Sequence, residues 1–307
     1  MSIDIQSRAL TVKLHVSTWT ARRFDKKVTD KVNTEHAAGR DAGRYNKHLL
    51  GGPDTSLNKV ISAATAARAL HDVNALPWSD KGWRLLPSTN YFQYTEQLRK
   101  ARVAFEAAVD QFVSDYTALK EQAKVRLNGL YNEADYPAES EVRGKFEFAL
   151  HFAPLPAQGD FRLALPADQI AELEKSITDR VESAVKDAMT DTWSRVYEAV
   201  ARIHRLVADP AINEDSPTGQ AKRAAIRDAI VKQTTDTTDL VARLNVVDDA
   251  NLEVIRTRVA REIMTLSPKL LRETGSAAET LRADAAARTQ SILDAMSGFY
   301  EPPAEQE

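Results

Sequence analysis

The chain is 307 residues long, 43% hydrophobic and 28% charged, with a formal net charge of −3 and no cysteine. That length supports one large domain or two modest ones, and a core that needs no disulfides. The missing thiol excludes cysteine nucleophiles, cysteine-based zinc sites, iron–sulfur ligation and a disulfide framework. The opening MSIDIQSRALTVKLHV lacks the apolar run of a signal peptide. No stretch approaches about 18 consecutive apolar residues, so no membrane span is expected. The expected compartment is cytoplasmic. Charge is unevenly spread: residues 1–50 carry ten basic residues against five acidic, whereas residues 131–220 carry about twice as many acids as bases. Such a split permits phosphate contact or head-to-tail contact between copies.

Residues 8–16 alternate, with Leu10, Val12, Leu14 and Val16 on one face and Thr11, Lys13 and His15 on the other, the period of a half-buried strand. Ser17 or Thr18 is placed to cap a helix. Behind it Val16, Thr20, Phe24, Val28 and Val32 recur every four residues, which predicts a helix to about Lys47, weakened by Gly39 and Gly43. LLGGPDTS breaks the chain, and an alanine-rich helix is expected over about 56–72.

The segment NALPWSDKGWRLLPSTN holds two prolines and several turn formers, so it cannot be helical throughout. Asn90 is a candidate N-cap for a long helix to about 130. Along it Leu98, Phe105, Phe112 and Leu119 fall seven apart, as do Val109, Tyr116, Ala123 and Leu130, giving one apolar stripe. Aromatics make up only 7% of the chain yet Trp78, Trp83, Tyr91, Phe92 and Tyr94 gather just here. They read as the plug at the start of that stripe or as an interaction surface.

After Asp135-Tyr136-Pro137, the alternation of Phe146, Phe148, Leu150 and Phe152 and of Phe161, Leu163 and Leu165 suggests a hairpin, with a short helix from Ser140 as the alternative for its first arm. Two strands alone are marginal, so the N-terminal strand is the expected third. From Pro166 to Asp209, eleven apolar or small positions from Ile170 to Leu206 advance 36 residues in ten steps, the period of a straight helix. About 60 Å long, it should project in part or pair with the 90–130 helix. Ser216-Pro217 opens a further helix to about Leu244, Asp249 one to about Leu266, and a last helix covers about 277–296. The fold class is therefore mostly α: α-rich α+β, with long antiparallel helices and a small antiparallel sheet of about three strands. Three segments are distinguished, 1–80, 81–165 and 166–300, expected to form one continuous unit, with 301–307 as a disordered tail.

Motifs for chemistry are missing. No P-loop, dinucleotide-binding glycine pattern or nucleophile elbow occurs, and no two of the six histidines stand three or four residues apart. No cofactor and no metal site is predicted, and no catalytic residues are assigned. His15 and His151, on proposed strands, and Glu139, Glu141 and Glu147 read as solvated residues before they read as a site. The sharper signal is the basic N-terminal segment: Arg22, Arg23, Lys26 and Lys27 on adjacent helical turns, then Arg40, Arg44 and Lys47, with Tyr45 among them. Such a row can neutralise phosphates while the ring stacks on a base; Asp25 and Asp30 interrupt it.

Four stretches, STWTARRFDKKVTDKV, RLLPSTNYFQYT, DYP with FAPLPAQGDFRLAL, and LNVVDDANLEVIRTRVAREI, resemble a family of bacteriophage and proteobacterial proteins of unassigned function. Some bacterial members stand beside a MoxR-type ATPase and a von Willebrand A-type protein. The resemblance implies a partner in an assembly driven by an AAA+ ATPase or, in phage genomes, an accessory to DNA metabolism. It supplies no active-site residues. Taken together, the leading expectation is a non-enzymatic, helical, self-associating interaction protein with a host or phage protein as partner. The alternatives are a nucleic-acid-binding protein using the basic helix, a phage inhibitor of a host defence or repair complex, and an enzyme with a site of scattered Asp, Glu and His.

Overall fold

The structure is a computed structural model that describes residues 5–51, 55–78, 82–156, 166–226 and 228–303. In chain order the helices are α1 (Ile5–Arg8), α2 (Lys26–Glu35), α3 (Ser56–Asn74), α4 (Tyr91–Leu127), α5 (Glu139–Val142), α6 (Ala167–Val207), α7 (Pro217–Ala225), α8 (Asp228–Leu244), α9 (Ala250–Glu262), α10 (Pro268–Arg272) and α11 (Ser276–Met296). The strands are β1 (Ala9–Ser17), β2 (Arg22–Phe24), β3 (Asn46–His48), β4 (Leu76–Pro77), β5 (Arg84–Pro87) and β6 (Glu147–Pro154). The fold is α-rich α+β, as the periodicities imply. Its larger sheet has four strands in the order β4-β5-β1-β6, and β2 and β3 form a separate ribbon. The second arm of the expected hairpin, residues 161–165, lies outside the described residues, as do residues 304–307 of the tail.

Two units divide the chain, one of Met1–Lys13, Asn74–Phe92 and Phe152–Glu307, the other of Leu14–Val73 and Gln93–His151. They do not follow boundaries at 80 and 165, because the chain passes from one to the other four times.

In the first unit β1 pairs antiparallel with β5, Ala9 opposite Pro87 and Val12 opposite Arg84. β1 is an inner strand, so its two faces are not cleanly split into wet and dry. Thr11 is buried beside Val12, and its hydroxyl donates to the Ala153 carbonyl at 3.0 Å. The long helix α6 packs on α8 and α11, and α9 on both of those. Two cores result. One joins Trp193, Val196, Val200, Ile203 and Val207 of α6 to Val241, Leu252, Ile255, Val259, Ile292 and Met296. The other joins Val181 and Ala188 to Leu76, Leu85, Leu240 and Leu244. The α6 stripe is therefore buried from Val181 onward, while its first turns are largely exposed.

The expected single helix from Ser216 to Leu244 is interrupted. α7 ends at Ala225, and Ile226 leaves helical geometry (ψ 88°) to bury its side chain in the first core. Its carbonyl accepts from Arg272 Nη1 at 3.0 Å. No proline or glycine marks this break; tertiary contacts make it.

In the second unit α3 turns Leu57, Val60 and Ala64 onto Phe105, Val109, Phe112 and Tyr116 of α4, at i, i+3, i+4 spacing on each helix. The seven-residue stripe of α4 is thus consumed in the chain's own core.

Residues 17–47 are not one helix. β1 runs to Ser17, Ala21 takes a left-handed φ of 48°, and β2 follows. Asp25 then accepts the Val28 N–H at 3.1 Å and starts α2, which ends at Glu35. β3 returns against β2 with Arg22 opposite His48 and Phe24 opposite Asn46. The four-residue recurrence misled because it marks no buried face: Phe24 and Val32 are 38% and 43% exposed.

Candidate functional site

The predicted basic row is redistributed by this fold. Arg22 and Arg23 stand on β2, Lys26 and Lys27 in the first turn of α2, Arg40 and Arg44 in the α2–β3 connection, and Tyr45 beside β3. Arg22, Lys26, Lys27, Arg40 and Arg44 are exposed or nearly so. The Arg44 guanidinium lies 4.7 Å from the centroid of the Phe24 ring. The Tyr45 backbone N–H donates to Thr29 Oγ1 at 2.9 Å, which ties the connection to α2.

Lys47 is withdrawn from that surface: it is 5% exposed. Its ammonium reaches Asp135 Oδ2 at 2.7 Å and Asp25 Oδ2 at 3.2 Å, and donates to the Leu130 carbonyl at 2.9 Å. Two carboxylates and one carbonyl thus surround the ammonium. Burial alone would push the Lys47 ammonium down, but the two carboxylates outweigh it and hold it above the usual lysine range. Asp25 is held below the usual carboxylate range, chiefly by the Val28 N–H, against burial and with help from Lys47. Arg23 Nε adds a looser contact to Asp135 Oδ1 at 3.5 Å. Lys47 is a structural cation and cannot meet a phosphate.

The aromatic group also divides. Tyr94 is fully buried in the second unit, its hydroxyl 2.7 Å from His71 Nδ1. Trp78 is half-buried against the Leu76–Leu85–Leu244 core, and Trp83 is half-buried. Tyr91 and Phe92 belong to the first unit and point outward. The two rings meet edge-on at 5.6 Å, and Tyr91 touches Phe152 at 5.7 Å. Phe92 is 83% exposed. An Asn90 amide fixed to the Asn74 carbonyl at 2.8 Å, and accepting from Arg243 Nε at 3.0 Å, anchors the turn that presents them. The result is a three-ring apolar knob on a rigid base.

A third feature was not visible in the sequence. A cleft of roughly 610 Å³ in the first unit is lined by residues of α6 and α11 and by the start of the tail, among them Tyr197, Glu198, His204, Asp294 and Tyr300. Thr289 Oγ1 lies 2.8 Å from the Ala285 carbonyl and 2.9 Å from His204 Nδ1. A hydroxyl has one proton, and an unprotonated oxygen pair at 2.8 Å is repulsive. Thr289 therefore donates to the carbonyl and accepts from His204 Nδ1–H, which leaves the ring's lone pair on Nε2. His204 stands 81 and 85 positions before Ala285 and Thr289, so no spacing rule could have found the arrangement.

The remaining histidines and acids do not assemble. His15 meets Glu147 at 3.4 Å rather than His151, and Glu139 accepts from the Thr117 hydroxyl. Among the described residues no group of three His, Asp or Glu is placed to hold a metal ion, and no helix is long and apolar enough to cross a membrane. Comparison with protein families, with curated proteins and with solved structures finds no match to the chain.

Proposed function

We propose that the chain is a non-enzymatic interaction protein that self-associates and serves as an accessory in DNA metabolism or in an ATPase-driven assembly. The observation that carries this reading is the Tyr91–Phe92–Phe152 knob. The apolar stripe of α4 and that of α6 from Val181 onward are used up inside the chain's own cores, so contact with a partner falls to what stays outside. A phenylalanine 83% exposed on an anchored helix start holds most of its burial energy in reserve, about 2 kcal/mol. Aromatic anchors of this kind dominate protein interfaces. Sedimentation equilibrium on the intact protein and on Phe92→Ala tests it. The expected result is self-association in the parent, weakened about 30-fold by the substitution. A monomer at every concentration, or an unchanged association constant, refutes it.

A second reading has its own support, the exposed Arg22, Lys26, Lys27 and Arg40 around the Arg44–Phe24 stack. This is a compact basic ribbon with a ring rather than a basic helix, and it suits a single-stranded nucleic acid. Single-strand binding that falls steeply with salt and is lost in Arg22→Glu/Lys26→Glu/Lys27→Glu supports it; salt-insensitive binding removes it.

A further inference from the structure

The last turn of α7 and the middle of α11 each bury an arginine, both within the first unit. Arg282 is 1% exposed and Arg223 8%. Arg282 donates from Nε to Asn213 Oδ1 at 2.8 Å and from Nη1 to the Leu271 and Glu273 carbonyls, each at 2.9 Å. Arg223 donates from Nη1 to the Ile212 and Glu214 carbonyls at 2.6 and 3.0 Å. Every acceptor is neutral. Neither arginine makes an ion pair with a carboxylate among the described residues, although buried charges are ordinarily paired.

The two guanidiniums are not equivalent. Arg282 is enclosed, whereas Arg223 lines an open cleft of roughly 660 Å³ together with Arg272, Ser216, Gln220, Thr274 and Asp215. Arg223 commits only Nη1, so Nε and Nη2 make no hydrogen bond among the described residues. Its free edge is a fork of N–H donors whose position is fixed by the two carbonyls behind it. Arg272 also lines the cleft, but it is engaged through Nη1 with the Ile226 carbonyl at 3.0 Å and by further contacts, so the uncommitted edge is that of Arg223. Gln220 on the first turns of α7 and the Thr274 hydroxyl add neutral donors to the lining, and Asp215 opposes them.

We propose that this cleft binds a phosphoryl oxyanion, with the Arg223 fork as its charged contact and Gln220 and Thr274 as its neutral ones. A carboxylate offers two oxygens in one plane. A guanidinium fork and an amide on α7, with a hydroxyl from the α10–α11 connection, suit a tetrahedral group with three or more acceptor oxygens. The bound anion supplies the countercharge that no carboxylate among the described residues gives to Arg223. The phosphoryl group comes from a free phosphate ester or from a polynucleotide backbone, and both present the same chemistry.

The test uses the full chain and a pair of opposite substitutions at one exposed position. Inorganic phosphate, a nucleoside monophosphate and a single-stranded oligonucleotide are each titrated by calorimetry against chloride at matched ionic strength. Gln220→Glu sets a carboxylate in the cleft and should weaken binding at least tenfold; Gln220→Lys should strengthen it. Arg223→Gln is avoided as the sole variant because it also releases two carbonyls, and Thr274→Val serves as a second, milder probe. Saturable binding of phosphate and monophosphate that follows the Gln220 swap, without oligonucleotide binding, supports a free ester. Oligonucleotide binding that follows the swap supports the backbone source. No saturable binding beyond chloride, or binding of any probe that is indifferent to the Gln220 swap, overturns the proposal.

Discussion

Replacing Lys47 by methionine should loosen the β2–β3 ribbon by about 3 kcal/mol. The substitution keeps the apolar stem and removes only the ammonium. It leaves Asp135 and Asp25, whose side chains are 10% and 15% exposed, facing each other without the cation that stood 2.7 and 3.2 Å away. It also leaves the Leu130 carbonyl without its donor. Breaking one partner out of a buried ion pair costs roughly 3–5 kcal/mol. Charge-assisted hydrogen bonds of about 1.5–3 kcal/mol each would sum higher, but the carboxylates relax and take up protons, so the lower end is expected. An effect of about 3 kcal/mol multiplies the opening constant by about two decades. Hydrogen exchange read by peptide reports this directly. Peptides covering residues 22–48 should exchange about a hundredfold faster, and those covering α9 and α11 should not change. Adding Asp25→Asn and Asp135→Asn to Lys47→Met should recover much of the loss, since a neutral cluster no longer carries uncompensated charge. Protection within about threefold of the parent in Lys47→Met would show the cluster to be solvated and the reasoning wrong.

Alkaline and acid pH should weaken the same ribbon from opposite sides. Lys47 is raised above its ordinary 10.5, so its contribution is complete below that value and is lost as pH climbs through the folded value. Asp25 is depressed below its ordinary 3.8, so its contribution is present above that value and is lost as pH falls through the folded one. Urea midpoints against pH should show both limbs, and Lys47→Met should shrink the alkaline one, leaving the share of the Tyr116, Tyr131 and Tyr136 hydroxyls, which burial holds above their ordinary 10.0. In Gly219→Ala a new Cβ would sit 2.2 Å from the Glu214 carbonyl oxygen and 2.9 Å from that of Ala211, both backbone atoms. A loss of about 1–3 kcal/mol is expected, read as a lowered urea midpoint, with tryptophan fluorescence following the first unit through Trp193. Asp249→Ala removes the α9 cap, which accepts from the Asn251 and Leu252 N–H groups, and the acceptor of Trp193 Nε1 at 3.0 Å. About 2 kcal/mol should be lost in chemical unfolding, most of it restored by Asp249→Asn.

The long helices were legible in the sequence because their buried faces are long enough for period to outvote accident. α4 from Leu98 to Ala123 and α6 from Val181 to Ile203 bury the predicted residues, save Leu119 and Ala199, which are half-buried. The segment 17–47 shows the limit of that argument. Val16, Thr20, Phe24, Val28 and Val32 satisfy a helical spacing, yet it matches no buried face, and Asp25 with the Val28 N–H three residues on was the more local signal, a cap. The break after Ala225 had no local signal. Ile226 suits a helix, and only its burial and the Arg272 contact to its carbonyl take it out of one. Tyr94 and Phe92 differ by two positions, about 200° around a helix, which is why one is core and the other knob although both read as the same cluster.

The candidate sites were less legible for a related reason. A sequence counts charges, whereas folding decides which of them are already spent. Lys47 looked like the end of a basic row and is consumed by Asp25 and Asp135; Arg126 is engaged by the His48 and Leu49 carbonyls. Arg223 and Arg282 carry no signal in the sequence, and their guanidiniums hold carbonyls of the neighbouring connections with no carboxylate on either among the described residues. The excess positive charge of residues 1–50 is therefore a poor guide to where an anion would settle. A cation held by neutral carbonyls keeps its full charge for a ligand, while one held by two carboxylates has none left. On that ground Lys47 drops out of the ribbon's candidate anion contacts, while Arg22, Lys26, Lys27, Arg40 and Arg44 stay at its surface. The same distinction predicts that neutralising Lys47 will alter stability and leave anion binding untouched, whereas reversing the sign at Gln220 will do the opposite.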